Sequence, residues 1–119
     1  MKRALVVEDD PVWASLLSTY CQKEGFATML VRSPQEAMNC LDEDQVDVVV
    51  LDMLLAVETG VALLNEMRSY GDLSRIPIII CTSSGATIEE LAPFGVVAIL
   101  DKSTMDARDL GVELRKLQA

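Results

Sequence analysis

The 119-residue chain contains no histidine. That removes at once the commonest general base and the commonest metal ligand. Its cysteines, Cys21, Cys40 and Cys81, are odd in number and form no C-x-x-C pair, so neither a disulfide framework nor a zinc site is indicated. Each stands in an apolar stretch and reads as a buried free thiol. A basic stripe is missing too: Lys2-Arg3 and Arg115-Lys116 are isolated pairs, and the net charge is −9. This excludes a nucleic-acid surface, which needs clustered cations for the phosphates. No apolar run approaches the roughly 18 residues of a membrane span. Met1-Lys2-Arg3 looks like a signal-peptide start, but the following apolar run, Ala4–Val7, ends at Glu8. The expectation is a cytoplasmic protein with no membrane or nucleic-acid partner.

What is present suits one compact domain, residues 1–119. Half of the residues are hydrophobic, and the length allows one core. Short apolar runs alternate with helix-like segments. Ala4–Val7 reads as a first strand, followed by Asp10-Pro11 as a helix cap and first turn. Trp13, Leu16, Leu17, Tyr20 and Cys21 then share one helical face before Gly25 stops it. Ala27–Val31 is a second strand, and Ser33-Pro34-Gln35-Glu36 is a capping box opening a helix to about Glu43. Val46–Leu51 is almost wholly apolar, as in a strand covered on both faces. From Asp52 to Gly60 a loop is expected, then a helix burying Leu63, Leu64 and Met67. Ile76–Cys81 and Val96–Leu100 are the fourth and fifth strands, and Leu110, Leu114 and Leu117 mark a terminal helix.

Strands alternating with helices imply an α/β fold, a doubly wound parallel sheet. Its five-stranded, flavodoxin-like form has strand order 2-1-3-4-5. Ligands in such sheets bind beyond the carboxyl ends, where strand order reverses. Here that point lies between strands one and three, which end in Glu8-Asp9-Asp10 and in Asp52. Carboxylates gathered there lose water and repel one another, so they call for a cation. An oxygen-only donor set favours Mg²⁺. Thr82 follows the fourth strand and Lys102 the fifth. A phosphoryl group in that crevice would meet the metal, an ammonium and a hydroxyl. Asp52 is then the natural nucleophile, forming an aspartyl-phosphate without a base to activate it. Asp10 reads better as a helix cap than as a ligand.

Leu5-Val6-Val7-Glu8-Asp9-Asp10, Val49-Val50-Leu51-Asp52-Met53, Ile78-Ile79-Ile80-Cys81-Thr82-Ser83 and Leu100-Asp101-Lys102, at these separations, make the chain resemble the receiver domain of two-component response regulators. The resemblance implies a phosphoacceptor switch rather than an enzyme, charged by a histidine kinase or histidine phosphotransfer protein. It makes Asp52 the phosphoacceptor. It makes Asp9 the direct Mg²⁺ ligand, Glu8 the water-mediated one and the Leu54 carbonyl a third, with Asp52 itself. Thr82 becomes the switch hydroxyl and Lys102 the phosphoryl's charge partner, with small Ser83 keeping access open. The downstream protein is not named by the resemblance, and a homodimer stays open.

Three departures stand out. The switch position that usually holds Tyr or Phe is Ile99. Lys102 is followed by Ser103 instead of proline, which implies a different loop. Thr87-Ile88-Glu89-Glu90 reads as a capping box, yet Pro93 leaves the fourth helix barely more than one turn. Together these suggest a non-standard output surface, against family drift with the usual surface kept. Two other functions stay open: a Mg²⁺-dependent phosphatase with an aspartyl nucleophile, opposed by Leu54 where that class has an acid, and an adaptor that is never phosphorylated. Flavin binding is disfavoured by the carboxylates.

Overall fold

The computed structural model describes residues 1–54, 60–83 and 85–118. Its strands are β1 (Arg3–Val7), β2 (Ala27–Val31), β3 (Val48–Leu51), β4 (Ile78–Thr82) and β5 (Val96–Asp101). Its helices are α1 (Pro11–Lys23), α2 (Pro34–Glu43), α3 (Gly60–Arg68), α4 (Ile88–Leu91) and α5 (Ala107–Gln118). The strands are parallel in the order β2-β1-β3-β4-β5, the expected doubly wound arrangement.

Side-chain alternation sorts the strands into two cores. Leu5, Val7, Val49, Leu51, Ile78 and Ile80 pack with Met38 and Leu41 of α2 and Leu63, Leu64 and Met67 of α3. On the other face Ala4, Val6, Val48, Val50, Ile79 and Cys81 pack with Leu17 and Cys21 of α1 and Leu110 and Leu114 of α5. Cover on both faces is why β1, β3 and β4 are continuous apolar runs.

The ladder runs on past the strand ends. Glu8 N–H donates to the Val31 carbonyl at 3.0 Å, Asp52 N–H to Val7 at 3.1 Å and Lys102 N–H to Thr82 at 3.1 Å. Glu8 stands two residues after Val6, Asp52 two after Val50 and Lys102 two after Leu100, so all three prolong the α1/α5 face. Thr82, two after Ile80, prolongs the α2/α3 face.

Local chemistry sets most boundaries. Asp10 Oδ1 accepts the N–H groups of Val12 at 2.8 Å and Trp13 at 3.3 Å, which starts α1. Gly25, at φ +89°, follows its end. Ser33 Oγ accepts the Glu36 N–H at 3.2 Å, while the Glu36 carboxylate accepts the Arg32 N–H at 3.1 Å. That box therefore closes one residue before the cap. The box expected at Thr87 does not form: its hydroxyl donates to Glu90 Oε1 at 2.8 Å and makes no cap bond. As expected, α4 is one turn, and a 3₁₀ turn, Ala92–Phe94, follows it around Pro93.

Three other expectations are corrected. β3 begins at Val48, because the Asp47 carboxylate is taken up by the Arg3 N–H at 2.7 Å. β4 begins at Ile78 and includes Thr82. Cys40 is only half-buried, with its thiol against the Met29 sulfur at 3.4 Å. Most of the loop expected between Asp52 and Gly60 lies outside the described residues.

Gly60 ties α3 to the end of β3. Its N–H donates to the Met53 carbonyl at 3.0 Å, and a Cβ there would lie 2.9 Å from both the Asp52 carbonyl oxygen and Met53 Cα. Those are backbone atoms and cannot swing aside. Gly60→Ala is expected to cost about 1–3 kcal/mol in urea unfolding. Gly71→Ala, where a Cβ would meet nothing within 4 Å, is expected to stay within about 0.5 kcal/mol of wild type.

Candidate functional site

Strand ends that the sequence spreads over 95 positions, from Glu8 to Lys102, meet in one cleft of about 550 Å³. Asp52 is buried on its floor. Its Oδ1 accepts the Thr82 hydroxyl at 2.9 Å and the Leu54 N–H at 3.0 Å, and its Oδ2 accepts Lys102 Nζ at 2.9 Å. Lys102 Nζ also donates to Glu8 Oε1 through a short bond, and Glu8 Oε2 accepts the Asp10 N–H at 3.2 Å. Glu8 is 1% exposed. Burial at that level is tolerable only with partners for the charge.

Asp9 stands half-exposed at the rim. One carboxylate oxygen from each of Glu8, Asp9 and Asp52 lies within 4.8 Å of the others. At that separation each like-charged pair costs about 3 kcal/mol at an effective dielectric of about 20. Lys102 bridges Glu8 and Asp52, and the three carboxylates crowd negative charge at one end of the cleft. The donors are hard oxygens on a converging, partly open set, which fits a divalent ion that keeps some of its water. Glu8, Asp9 and Asp52 are the residues that would hold it.

The electrostatics reflect this crowding. Burial pushes the Glu8 carboxyl above the usual glutamate range, against the opposing pull of Lys102 and the Asp10 N–H. Burial pulls Lys102 down, but its bonds to Glu8 and Asp52 outweigh that and leave it above the ordinary lysine value. Its ammonium is therefore charged throughout the neutral range. Cys81, just before Thr82, is buried and pushed upward by desolvation, and Cys21 is pushed up to about 12 for the same reason. Both are inert thiols at neutral pH.

Of the sequence-derived residues, Glu8, Asp52, Thr82 and Lys102 are in direct contact and Asp9 adjoins them. Leu54 is at the lip, its side chain exposed. Ile99 is not in the cleft; it is half-buried on the α2/α3 side, against the first core. Asp10 serves as the α1 cap. The sequence reading missed Trp13, assigned only to a helical face. Its ring stands 5.1 Å from Lys102 Nζ and lines the cleft. No pattern signals this, because α1 and the end of β5 are remote in sequence.

The loop after Lys102 is also explained. At Ser103, where the family habitually has proline, Asp101 Oδ1 accepts both the Ser103 N–H at 2.8 Å and the Ser103 hydroxyl at 2.6 Å. These bonds hold the Asp101 carboxyl below its usual range. The side-chain turn fixes the chain beyond Lys102 without a proline ring.

Fold and cleft define a flavodoxin-like α/β domain with an acidic site at its topological switch point. Comparison sharpens this. The response regulator receiver domain family matches residues 4–114, and the chain belongs to that family, whose members are signalling modules. It is 29% identical over 109 residues to the Regulator of RpoS of Escherichia coli K12, covering 92% of this chain and 32% of that protein. It is 30% identical over 91 residues to the Transcriptional regulatory protein CpxR of Klebsiella pneumoniae, covering 76% of this chain and 38% of that one. The chain thus spans about a third of the length of these relatives.

Among solved structures, a sensor protein from Polaromonas sp. JS666 superimposes with a TM-score of 0.86 at 25% identity, covering 98% of this chain and 94% of that one. The receiver domain of sensor histidine kinase PA1611 from Pseudomonas aeruginosa PAO1, solved with magnesium in its active site cleft, gives 0.85 at 23% identity, with 99% and 98% covered. The second likeness bears on the fold.

Two outcomes follow from the crowded acids. Mg²⁺ is expected to raise the melting temperature of the wild type. Asp9→Asn is expected to raise that of the metal-free protein and to remove most of the Mg²⁺ response, read by calorimetry. A raised Glu8 pKa also means that the folded state binds its proton more tightly than the unfolded chain. This contribution to stability is present below the unfolded value near 4.5 and is lost as pH rises through the higher folded value. The metal-free stability of wild type relative to Glu8→Gln should therefore fall across that window. A flat difference would contradict the assignment.

Proposed function

We propose that residues 1–119 form a single phosphoacceptor receiver domain. Asp52 takes a phosphoryl group from a histidine kinase or histidine phosphotransfer protein, with Mg²⁺ held by Glu8, Asp9, Asp52 and the Leu54 carbonyl. The observation that carries the reading is the bonding of Asp52 on the cleft floor. One oxygen faces Lys102 and the other faces Thr82, while two further carboxylates stand beside it for a divalent ion. The magnesium in the cleft of the PA1611 receiver domain supports the same choice of metal. When bound, Mg²⁺ would neutralise charge on the transferring group.

The chain's own residues do the rest. Asp52 attacks as an ionised carboxylate, which is why the absence of histidine is no obstacle. Lys102, already charged, moves from the Asp52 oxygen to the new phosphoryl oxygens. The Thr82 hydroxyl, 2.9 Å from Oδ1, exchanges the carboxylate for the phosphoryl group with little travel. The protein then acts as a cytoplasmic switch for a downstream partner, not as a turnover enzyme.

The output face departs from the family's habit. Ile99 has no hydroxyl to present at the surface and packs on the first core. Beside it α4 has four residues. We place the signal exit away from the α4–β5–α5 face on this basis.

Incubation with an acyl phosphate and Mg²⁺ is expected to add the mass of one phosphoryl group, and Asp52→Asn to abolish it. A labelled Asp52→Asn protein would refute the acceptor assignment. Thr82→Ala should still be labelled but should lose the backbone shift changes that accompany labelling of the wild type. Wild-type changes confined to α4, β5 and α5 would reject the proposed exit surface.

A further inference from the structure

We propose that Trp13 is a positioning residue: its ring holds the Lys102 ammonium over the acid pocket and thereby sets how fast Asp52 accepts a phosphoryl group. The proposal rests on the phosphoacceptor reading above. It starts from a problem of reach. Lys102 leaves the end of β5, an edge strand, yet its Nζ bonds Asp52 beyond β3 and Glu8 beyond β1. Strands lie about 4.8 Å apart, so β5 and β3 are separated by about 10 Å at the sheet end, a gap that the extended Lys102 stem and the Asp52 and Glu8 side chains close from opposite sides. A lysine stem is flexible, and holding it in one extended arrangement costs rotamer entropy.

Trp13 supplies the restraint. It is the third residue of α1, which Asp10 and Pro11 start immediately beyond β1. Side chains in a first turn tilt back toward the helix N-terminus, so the indole overhangs the strand ends. Lys102 and the α1/α5 face lie on the same side of the sheet, and the ring meets Nζ at 5.1 Å. The Lys102 side chain is 12% exposed. The aromatic face attracts the cation, and the half-buried ring, packed on the second core, has little freedom to move aside.

The step affected forms a bond from an Asp52 carboxylate oxygen to phosphorus. It breaks the bond from phosphorus to the donor's leaving oxygen, which departs with the electron pair as a carboxylate when the donor is an acyl phosphate. Lys102 meets the negative charge on the transferring oxygens. A wandering ammonium would arrive there less often, whereas Mg²⁺ binding, which uses the carboxylates, would not change.

The test compares Trp13→Phe, which keeps an aromatic face, with Trp13→Leu, which keeps apolar cover without one. In the wild type the Lys102 side-chain protons should be shifted upfield by the ring current, partly in Trp13→Phe and not in Trp13→Leu. With acyl phosphate and Mg²⁺, Trp13→Leu should be labelled roughly three- to ten-fold more slowly, as expected for a partly desolvated cation–π contact. Trp13→Phe should stay within about two-fold of wild type, and Mg²⁺ affinity within about two-fold for both, since neither variant touches the carboxylates. Absence of the wild-type ring-current shift would overturn the proposal. So would wild-type labelling by Trp13→Leu, equal slowing in both variants, or parallel loss of Mg²⁺ affinity. A wild-type chain that takes no label would overturn the phosphoacceptor reading and the rate claim with it. A labelled wild type without a difference between variants overturns this proposal alone.

Discussion

Crowded negative charge at the carboxyl ends of β1 and β3 is the constraint around which this molecule is organised. Glu8 and Asp52 are buried and share the Lys102 ammonium, and Asp9 is close by. Burial of Glu8 and Asp52 limits how far water can relieve the repulsion on the cleft floor. The chain answers by aiming hydrogen-bond donors at the pocket: Lys102 between two carboxylates, the Thr82 hydroxyl and Leu54 N–H on Asp52, and the Asp10 N–H on Glu8. Carboxylate crowding of this kind is why we read the pocket as a divalent-cation site, the cation being what would let an anionic phosphoryl group approach.

The two hydrophobic cores exist, in effect, to hold that pocket in register. Because side chains alternate along each strand, a slip of one residue in β1 or β3 would send Glu8 or Asp52 to the wrong face. The pairings Val7↔Leu51 and Leu51↔Ile80 set the level of the strand ends. Gly60 then lets α3 close on the backbone beyond Asp52. The same alternation sends Thr82 to the face opposite Lys102. On the proposed reading, a phosphoryl group there would lie between a hydroxyl on the α2/α3 face and the Lys102 ammonium on the α1/α5 face.

Much of this was legible in the order of residues. Apolar runs ending in acids located β1, β3 and the switch point, Asp10-Pro11 located the start of α1, and Pro93 stopped α4. The misses share a cause. The Thr87 box failed because its hydroxyl found the Glu90 carboxylate instead of a backbone donor. β3 lost its first two residues to a bond between Asp47 and Arg3, 44 positions apart. The turn beyond Lys102, expected to differ for want of proline, is fixed by Asp101, which the motif includes but to which no role was assigned. Local propensity was overruled wherever a side chain had a better partner than the local pattern foresaw.

The residue order alone carried the period of the hydrophobic pattern, and with it the parallel α/β architecture, the two-sided burial of the central strands and the identity of the acids, the hydroxyl and the lysine. Tertiary structure alone decided which of these touch. It gave Lys102 to both Glu8 and Asp52, put Asp9 at the rim, packed half-buried Ile99 against the first core and laid Trp13 over the ammonium. The physical reason is that periodicity is written along one chain. Electrostatic partnership depends on distances of a few ångströms between segments that only the packed sheet brings together.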